Sequence, residues 1–111
     1  MKKFSYKRNL QERNLRKIEA ELKVDPANDM CFFYPNRRRT EFEHICPKSQ
    51  YPELIDCREN LIPISREAHY VITFGTVKQL RELPAKRFRE YLEKMEKLDR
   101  KYYSRFKMRF E

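Results

Sequence analysis

The chain has 111 residues, which is the size of one domain with a modest core, and a formal net charge of +9. Eight Phe and seven Tyr in a 40% hydrophobic composition exclude a disordered chain, while a single Gly excludes a Gly-rich phosphate loop and a turn-dense β-sandwich. No apolar run approaches the roughly 18 residues of a membrane span, and the basic N-terminus lacks the apolar stretch of a secretory signal, so a cytoplasmic domain is expected.

In chain order, residues 5–24 predict an amphipathic helix: Leu15, Ile18 and Leu22 fall at i, i+3 and i+7, with Leu10 near the same stripe. Asp25-Pro26 stops it, because a residue before proline is pushed out of the helical region. Residues 30–34 (MCFFY) are a short apolar run, and Asn36 with Arg37-Arg38-Arg39 reads as a turn. From Thr40 the pattern alternates, with Phe42, His44 and Cys46 on one side and Glu41, Glu43 and Ile45 on the other. That predicts a strand over 40–46, ended by Pro47. Residues 48–59 predict an irregular loop of functional length, and Leu61, Ile62 and Ile64 a second strand interrupted by Pro63. Ser65 is placed to cap a helix running through His69 to about Phe74, where Gly75 supplies the stop. Val77, Leu80 and Leu83 predict a short helix. Beyond Pro84, the recurrence of Phe88, Leu92, Met95, Leu98, Tyr102 and Phe106 predicts one amphipathic helix of up to about seven turns. Its aromatic stripe reads as core or partner contact rather than a surface for stacking bases.

Charge is distributed unevenly along these elements. Residues 1–24 carry eight Lys/Arg against three acids and residues 76–111 twelve against six, whereas residues 25–75 carry six against eight. Basic flanks attract polyanions, and a mildly acidic centre suits a bound cation. Solvated helices would produce the same flanks, so charge alone does not decide. Three cysteines, Cys31, Cys46 and Cys57, form an odd set without an export signal, which argues against a disulfide framework.

Both histidines of the chain, His44 and His69, lie in the central section and bracket Asn60 at separations of 16 and 9 residues. Glu43-His44 is followed by Pro47-Lys48-Ser49, then by Glu59-Asn60-Leu61, then by Arg66 and His69 three residues apart. In this order the stretch from about Cys31 to Thr73 resembles the HNH endonuclease family, whose fold is a ββα-metal finger. The resemblance implies an α+β fold for a single nuclease domain spanning 1–111. A ββα-metal core over about residues 30–75 would be flanked by an N-terminal helix in residues 1–24 and a long C-terminal helix in residues 76–111.

The same resemblance implies the roles. His44 would take the proton from the attacking water, and Asn60 would tie the loop so that His44 keeps its orientation. Glu43 and His69 would hold one divalent ion, with Mg²⁺, Mn²⁺, Ni²⁺ and Zn²⁺ equally admissible to a mixed oxygen and nitrogen set. Lys48, Arg58 and Arg66, with the Arg37-Arg38-Arg39 triplet, are candidate phosphate contacts. Elementary chemistry agrees, since a neutral imidazole is a competent base and a metal ion neutralises a phosphodiester transition state. An ideal strand would send Glu43 and His44 to opposite sides, so one shared site needs the backbone to bend near Pro47.

Many members of the family hold a structural zinc in two Cys-x-x-Cys knuckles. Here those positions are Cys31 with Tyr34, and Ser65 with Ala68, so no structural zinc is expected. Cys46 and Cys57 read as small hydrophobes. The expected activity is metal-dependent phosphodiester hydrolysis, nicking DNA with weak sequence preference. DNA is the favoured partner, no membrane is involved, and the chain is a monomer or a homodimer through its C-terminal helix. Phage and mobile-element members of the family are of this size, which is analogy only. The alternatives are a catalytically silent nucleic-acid-binding or assembly protein that keeps the fold, and a zinc-dependent structural module. His44 argues against the silent alternative, because binding needs no base there.

Overall fold

In the computed structural model, which describes residues 6–109, the chain is α+β. Two antiparallel strands, β1 (Glu41–His44) and β2 (Leu61–Ile64), are packed among five helices. The first, α1 (Tyr6–Lys23), follows the apolar stripe, with residue 5 of the expected span lying outside the described residues. Leu15 is buried and Ile18 and Leu22 are half-buried against Ile55, Leu61 and Phe42, a small cluster separate from the main core. Leu10 is exposed, contrary to its place near the stripe. Asp25 ends α1 and its carboxylate accepts the Ala27 N–H at 3.0 Å, which starts a 3₁₀ turn at Pro26–Asn28.

The apolar run 30–34 folds back on itself. Arg37 N–H donates to the Tyr34 carbonyl (2.9 Å), and Cys31 N–H to the Arg37 carbonyl (2.8 Å). Phe32 N–H then reaches the Pro63 carbonyl at 2.8 Å, docking this turn on β2 and burying Phe33 edge-on against Tyr91. In the sheet Glu41 lies opposite Ile64 and His44 opposite Leu61, and Ile45 N–H continues the ladder to the Asn60 carbonyl. Pro63 does not interrupt β2. Its carbonyl points away from β1 toward Phe32, so its missing N–H falls on that outer side and costs the ladder no bond. β1 is shorter than the expected 40–46 span: regular pairing stops at His44, and residues 45–46 bend.

Ser65 caps α2 (Arg66–Phe74), its hydroxyl accepting the Ala68 N–H at 3.3 Å. Gly75 ends that helix without a left-handed turn: its φ is −69°, and its N–H bonds the Val71 carbonyl at 2.8 Å. What requires glycine is crowding, since a Cβ there would sit 2.4 Å from the Val71 oxygen. Gly75→Ala is expected to cost about 1–3 kcal/mol, the price of overpacking against backbone. The thermal midpoint checks it, and an unchanged midpoint would mean the turn yields freely. Thr76 and Gln79 form a reciprocal capping box that starts α3 (Val77–Arg81).

The single long C-terminal helix expected from the periodicity is instead two, α4 (Ala85–Leu98) and α5 (Arg100–Lys107). Asp99 is extended (φ −161°, ψ 111°), and its carboxylate accepts the Tyr102 N–H at 2.8 Å and the Tyr51 hydroxyl at 3.2 Å. The chain turns back there: the Tyr91 and Phe106 rings are 6.0 Å apart, where an unbroken helix would separate them by about 22 Å. Tyr91, Met95 and Phe106 thereby enter one core with Phe33, Ile62, Ile64 and Ile72. The apolar stripe, read from sequence as core or partner contact, packs into the core of this chain.

At the four positions matching zinc knuckles, Cys31 and Ala68 are buried in this core and Tyr34 packs against it. The Ser65 hydroxyl is committed to its cap, so packing and hydrogen bonding hold this corner. All three cysteines are free thiols, with Cys31 and Cys46 buried and Cys57 half-buried. Among the described residues no helix is long and apolar enough to cross a membrane.

Candidate functional site

A cleft of about 860 Å³ opens between α1, β1, the 47–49 loop, α2 and the α4–α5 hairpin. Glu43, His44, Lys48 and His69 all line it, which brings together four of the residues singled out from sequence. Four carboxylates (Glu12, Glu19, Glu41, Glu43) face three cations (Arg16, Lys48, Arg109), so the cleft is not a simple anion pocket.

β1 supplies the acids because alternate residues share a face. Glu41 and Glu43 both turn toward His69 on α2: Glu41 Oε2 is 2.5 Å from His69 Nδ1, and Glu43 Oε1 is 3.6 Å from His69 Nε2. With the ring neutral, the Glu41 contact makes Nδ1 the donor nitrogen and leaves the Nε2 lone pair aimed at Glu43. Glu43 is held from behind by the hydroxyl of buried Tyr91, 3.4 Å from Oε2. Its Oε1 is buried without a hydrogen-bond partner. Burial pushes the Glu43 carboxyl up to about 8; the Tyr91 hydroxyl opposes this, and the neighbouring charge of Glu41 adds to it.

His44 faces the other side of β1, as alternation requires, yet it opens into the same cleft because the strand ends with it. Its Nε2 lies 3.0 Å from the Ile55 carbonyl, an acceptor, so Nε2 carries the proton and Nδ1 is left with a free lone pair. Burial holds the His44 imidazole below its ordinary value of 6.5; the Ile55 hydrogen bond opposes that, and the nearby Lys48 charge reinforces it. The ring is a neutral base at pH 7.

Asn60 lies beneath the site rather than in it, fully buried. Its side-chain oxygen accepts the Cys46 N–H (2.7 Å), and its amide donates to the carbonyls of Cys46 and Leu54 (3.1 Å each). This fixes the bend just after His44 to the end of the irregular segment. That segment is two 3₁₀ turns, Pro52–Leu54 and Arg58–Asn60, rather than featureless loop. Tyr51 anchors its start: the hydroxyl donates to Asp99 at the α4–α5 break and accepts from Arg105 at 3.0 Å.

The remaining arginines do not line the cleft. Arg37 pairs with Glu67 at 3.0 Å, Arg39 donates to the Asn28 carbonyl and lies over Phe42, and Arg58 pairs with Glu21 of α1. Arg38 and Arg66 are exposed elsewhere on the surface. Conversely, Glu41 and Tyr91 act on the site without having been singled out. Glu41 was readable as the same-face neighbour of Glu43, and Tyr91 shares the helical stripe of Phe88 and Met95. Their partners, however, are set by tertiary packing.

Glu43 and His69 stand close enough together to share one ion. Two ligands each about 2.1 Å from one ion stand at most about 4.2 Å apart, and the observed 3.6 Å lies within that limit. Among the described residues no group of three or more His, Cys, Asp or Glu is arranged to hold an ion, so further ligands would come from substrate and water. No protein-family model, no curated protein and no solved structure matches this chain.

Proposed function

We propose that the chain is a metal-dependent nuclease with an HNH-type ββα core, hydrolysing phosphodiester bonds of nucleic acid with DNA as the favoured substrate. One observation carries the reading. A buried carboxylate oxygen without a partner, Glu43 Oε1, faces the free nitrogen of an oriented histidine in a cleft that a second, neutral histidine also lines. An orphaned buried acid is costly, and a cation shared with His69 removes that cost. The order β1, β2, α2 supports the core assignment, and the basic flanks support a polyanionic substrate. The silent-binder alternative accounts for the flanks but leaves the orphan oxygen unexplained.

In this reading Glu43 and His69 hold the ion, and Glu41 keeps the His69 ring in the tautomer that can bind it. A bound divalent ion supplies neutralisation of charge on the scissile phosphate and the departing oxygen. His44 Nδ1 accepts the proton of the attacking water, while its Nε2–H bond to Ile55 fixes the ring. Lys48 and Arg16, both lining the cleft, are placed for phosphate oxygens. One such site per chain cuts one strand at a time.

The test is nicking of supercoiled plasmid with Mg²⁺, Mn²⁺ or Ni²⁺, with EDTA controls. Cleavage should require metal, and His44→Ala should reduce it about 100- to 10,000-fold, the usual contribution of a general base, while plasmid binding persists. With wild-type protein the acid limb of the rate profile should fall below pH 6.5, the direction in which His44 is shifted. Plasmid that stays supercoiled under every metal, though bound, would sink the nuclease reading in favour of the silent binder.

A further inference from the structure

α2 presents a second face that the cleft does not use. Its inner residues Ala68 and Ile72 are buried, and His69 and Thr73 look into the cleft. One step further round, Tyr70 and Phe74 stand 58% and 72% exposed with their rings 5.6 Å apart. Two large aromatics kept in contact with each other and in water, one turn apart on a rigid helix, are a standing cost unless something covers them.

The charges around the pair indicate what that is. Arg66 lies one turn before Tyr70, and Lys78 opens the next helix beside the exposed Val77. Among the described residues neither Arg66 nor Lys78 is ion-paired. The nearest acid on the helix, Glu67, is neutralised by Arg37. The surface is thus an aromatic step with one unpaired cation a turn before it on α2 and another early in α3, complementary to a flexible polyanion whose units carry flat rings. A regular duplex hides its rings by stacking, whereas unpaired nucleotides leave theirs free for aromatic side chains.

We propose that the outer face of α2 is a stacking platform for unpaired nucleotides, with Tyr70 and Phe74 receiving bases and Arg66 the adjoining phosphate. The inference rests on and deepens the nuclease reading: it names single-stranded nucleic acid as the polymer led to the cleft, since Tyr70 and Phe74 directly follow the cleft residues His69 and Thr73 in sequence.

The experiment measures binding of a fluorescently labelled oligo-dT strand, and of a duplex of equal length, to the full chain in EDTA. Wild type should prefer the single strand at least about tenfold. Tyr70→Ala/Phe74→Ala should lose at least about 30-fold of single-strand affinity, two stacked bases at about 5- to 150-fold each, and none of the duplex affinity. Both side chains are exposed, so an unchanged thermal midpoint confirms that the variant is folded. Arg66→Ala should flatten the salt dependence of single-strand binding by about 0.7 in log–log slope, the signature of one phosphate contact. Wild-type affinity in the double variant overturns the proposal, as does loss of concentration-dependent self-association with oligo-dT binding intact, which would make the face a protein contact. Metal-dependent cleavage of the labelled single strand, beside plasmid nicking, is read separately with the same preparations. Platform-dependent binding without any metal-dependent cleavage would remove the nuclease and keep the platform, and the reverse pattern would do the opposite.

Discussion

Glu43→Gln is expected to make the metal-free protein more stable at pH 9, by on the order of 4 kcal/mol, while abolishing metal-dependent cleavage. The sign follows from burial. The Glu43 carboxyl titrates at about 8 in the folded chain against 4.5 when free, so folding favours its protonated form. The associated stability is fully present below about pH 4.5 and is lost as the pH rises to about 8, because over that window the unfolded chain releases a proton that the folded chain keeps. Glutamine fills the same space, can still accept from Tyr91, and has no charge to desolvate. Thermal melts in EDTA should show wild type and variant close together at pH 4.5 and diverging by roughly 15–20 °C at pH 9. Added divalent ion should raise the wild-type midpoint and leave the variant's unmoved. At pH 6 the ion has to displace the Glu43 proton, so calorimetry should find about one proton released per ion bound there and none above pH 9. A variant less stable than wild type at both pH values would mean that Glu43 is paired rather than strained.

Asn60→Ala should be the most damaging single truncation in the central section. It removes three hydrogen bonds at once and leaves the Cys46 N–H and the Cys46 carbonyl buried without partners, while the Leu54 carbonyl keeps the Cys57 N–H. At about 1–3 kcal/mol for each of these two groups, the total of roughly 2–6 kcal/mol approaches the whole stability of a small domain. Urea titration should show the midpoint collapse. Asn60→Asp keeps the acceptor for Cys46 N–H but sets a carboxylate against two carbonyl oxygens, so it should recover little. If Asn60→Ala folds normally yet cuts poorly, the residue works in the chemistry and not in the scaffold.

How much of this was legible depends on the range of the signal. The α1 stripe, the alternation through Glu41–His44 and the Ser65 cap are local patterns, and each became the element it predicted. The break at Asp99 was hidden because Met95, Leu98, Tyr102 and Phe106 keep helical spacing across it. A fold-back that preserves the period cannot be seen by periodicity, and one donor that stabilises it, the Tyr51 hydroxyl, is 48 residues away. Pro63 misled in the opposite direction, since whether a proline breaks a strand depends on which side its missing N–H faces. At the site, His44, Glu43 and His69 could be named from order and spacing, whereas Tyr91 behind Glu43 could not be named without the fold. The arginine triplet reads as a cationic patch, but folding commits Arg37 to Glu67 and Arg39 to a backbone carbonyl.

The thin attachment of α1 has a dynamic consequence. Its apolar seam is Leu15 with two half-buried neighbours, and its other ties are exposed polar contacts such as Gln11 to the Pro52 carbonyl and Asn14 to Asp56. Contacts of that kind contribute little, so α1 belongs to the low end of the local-unfolding ladder, while β2, α2 and α4 share the main core. Its amides therefore exchange with solvent through local openings instead of global unfolding. Because Glu12, Arg16 and Glu19 of this helix form one wall of the cleft, each such opening widens the entrance while the Glu43–His69 pair stays in register.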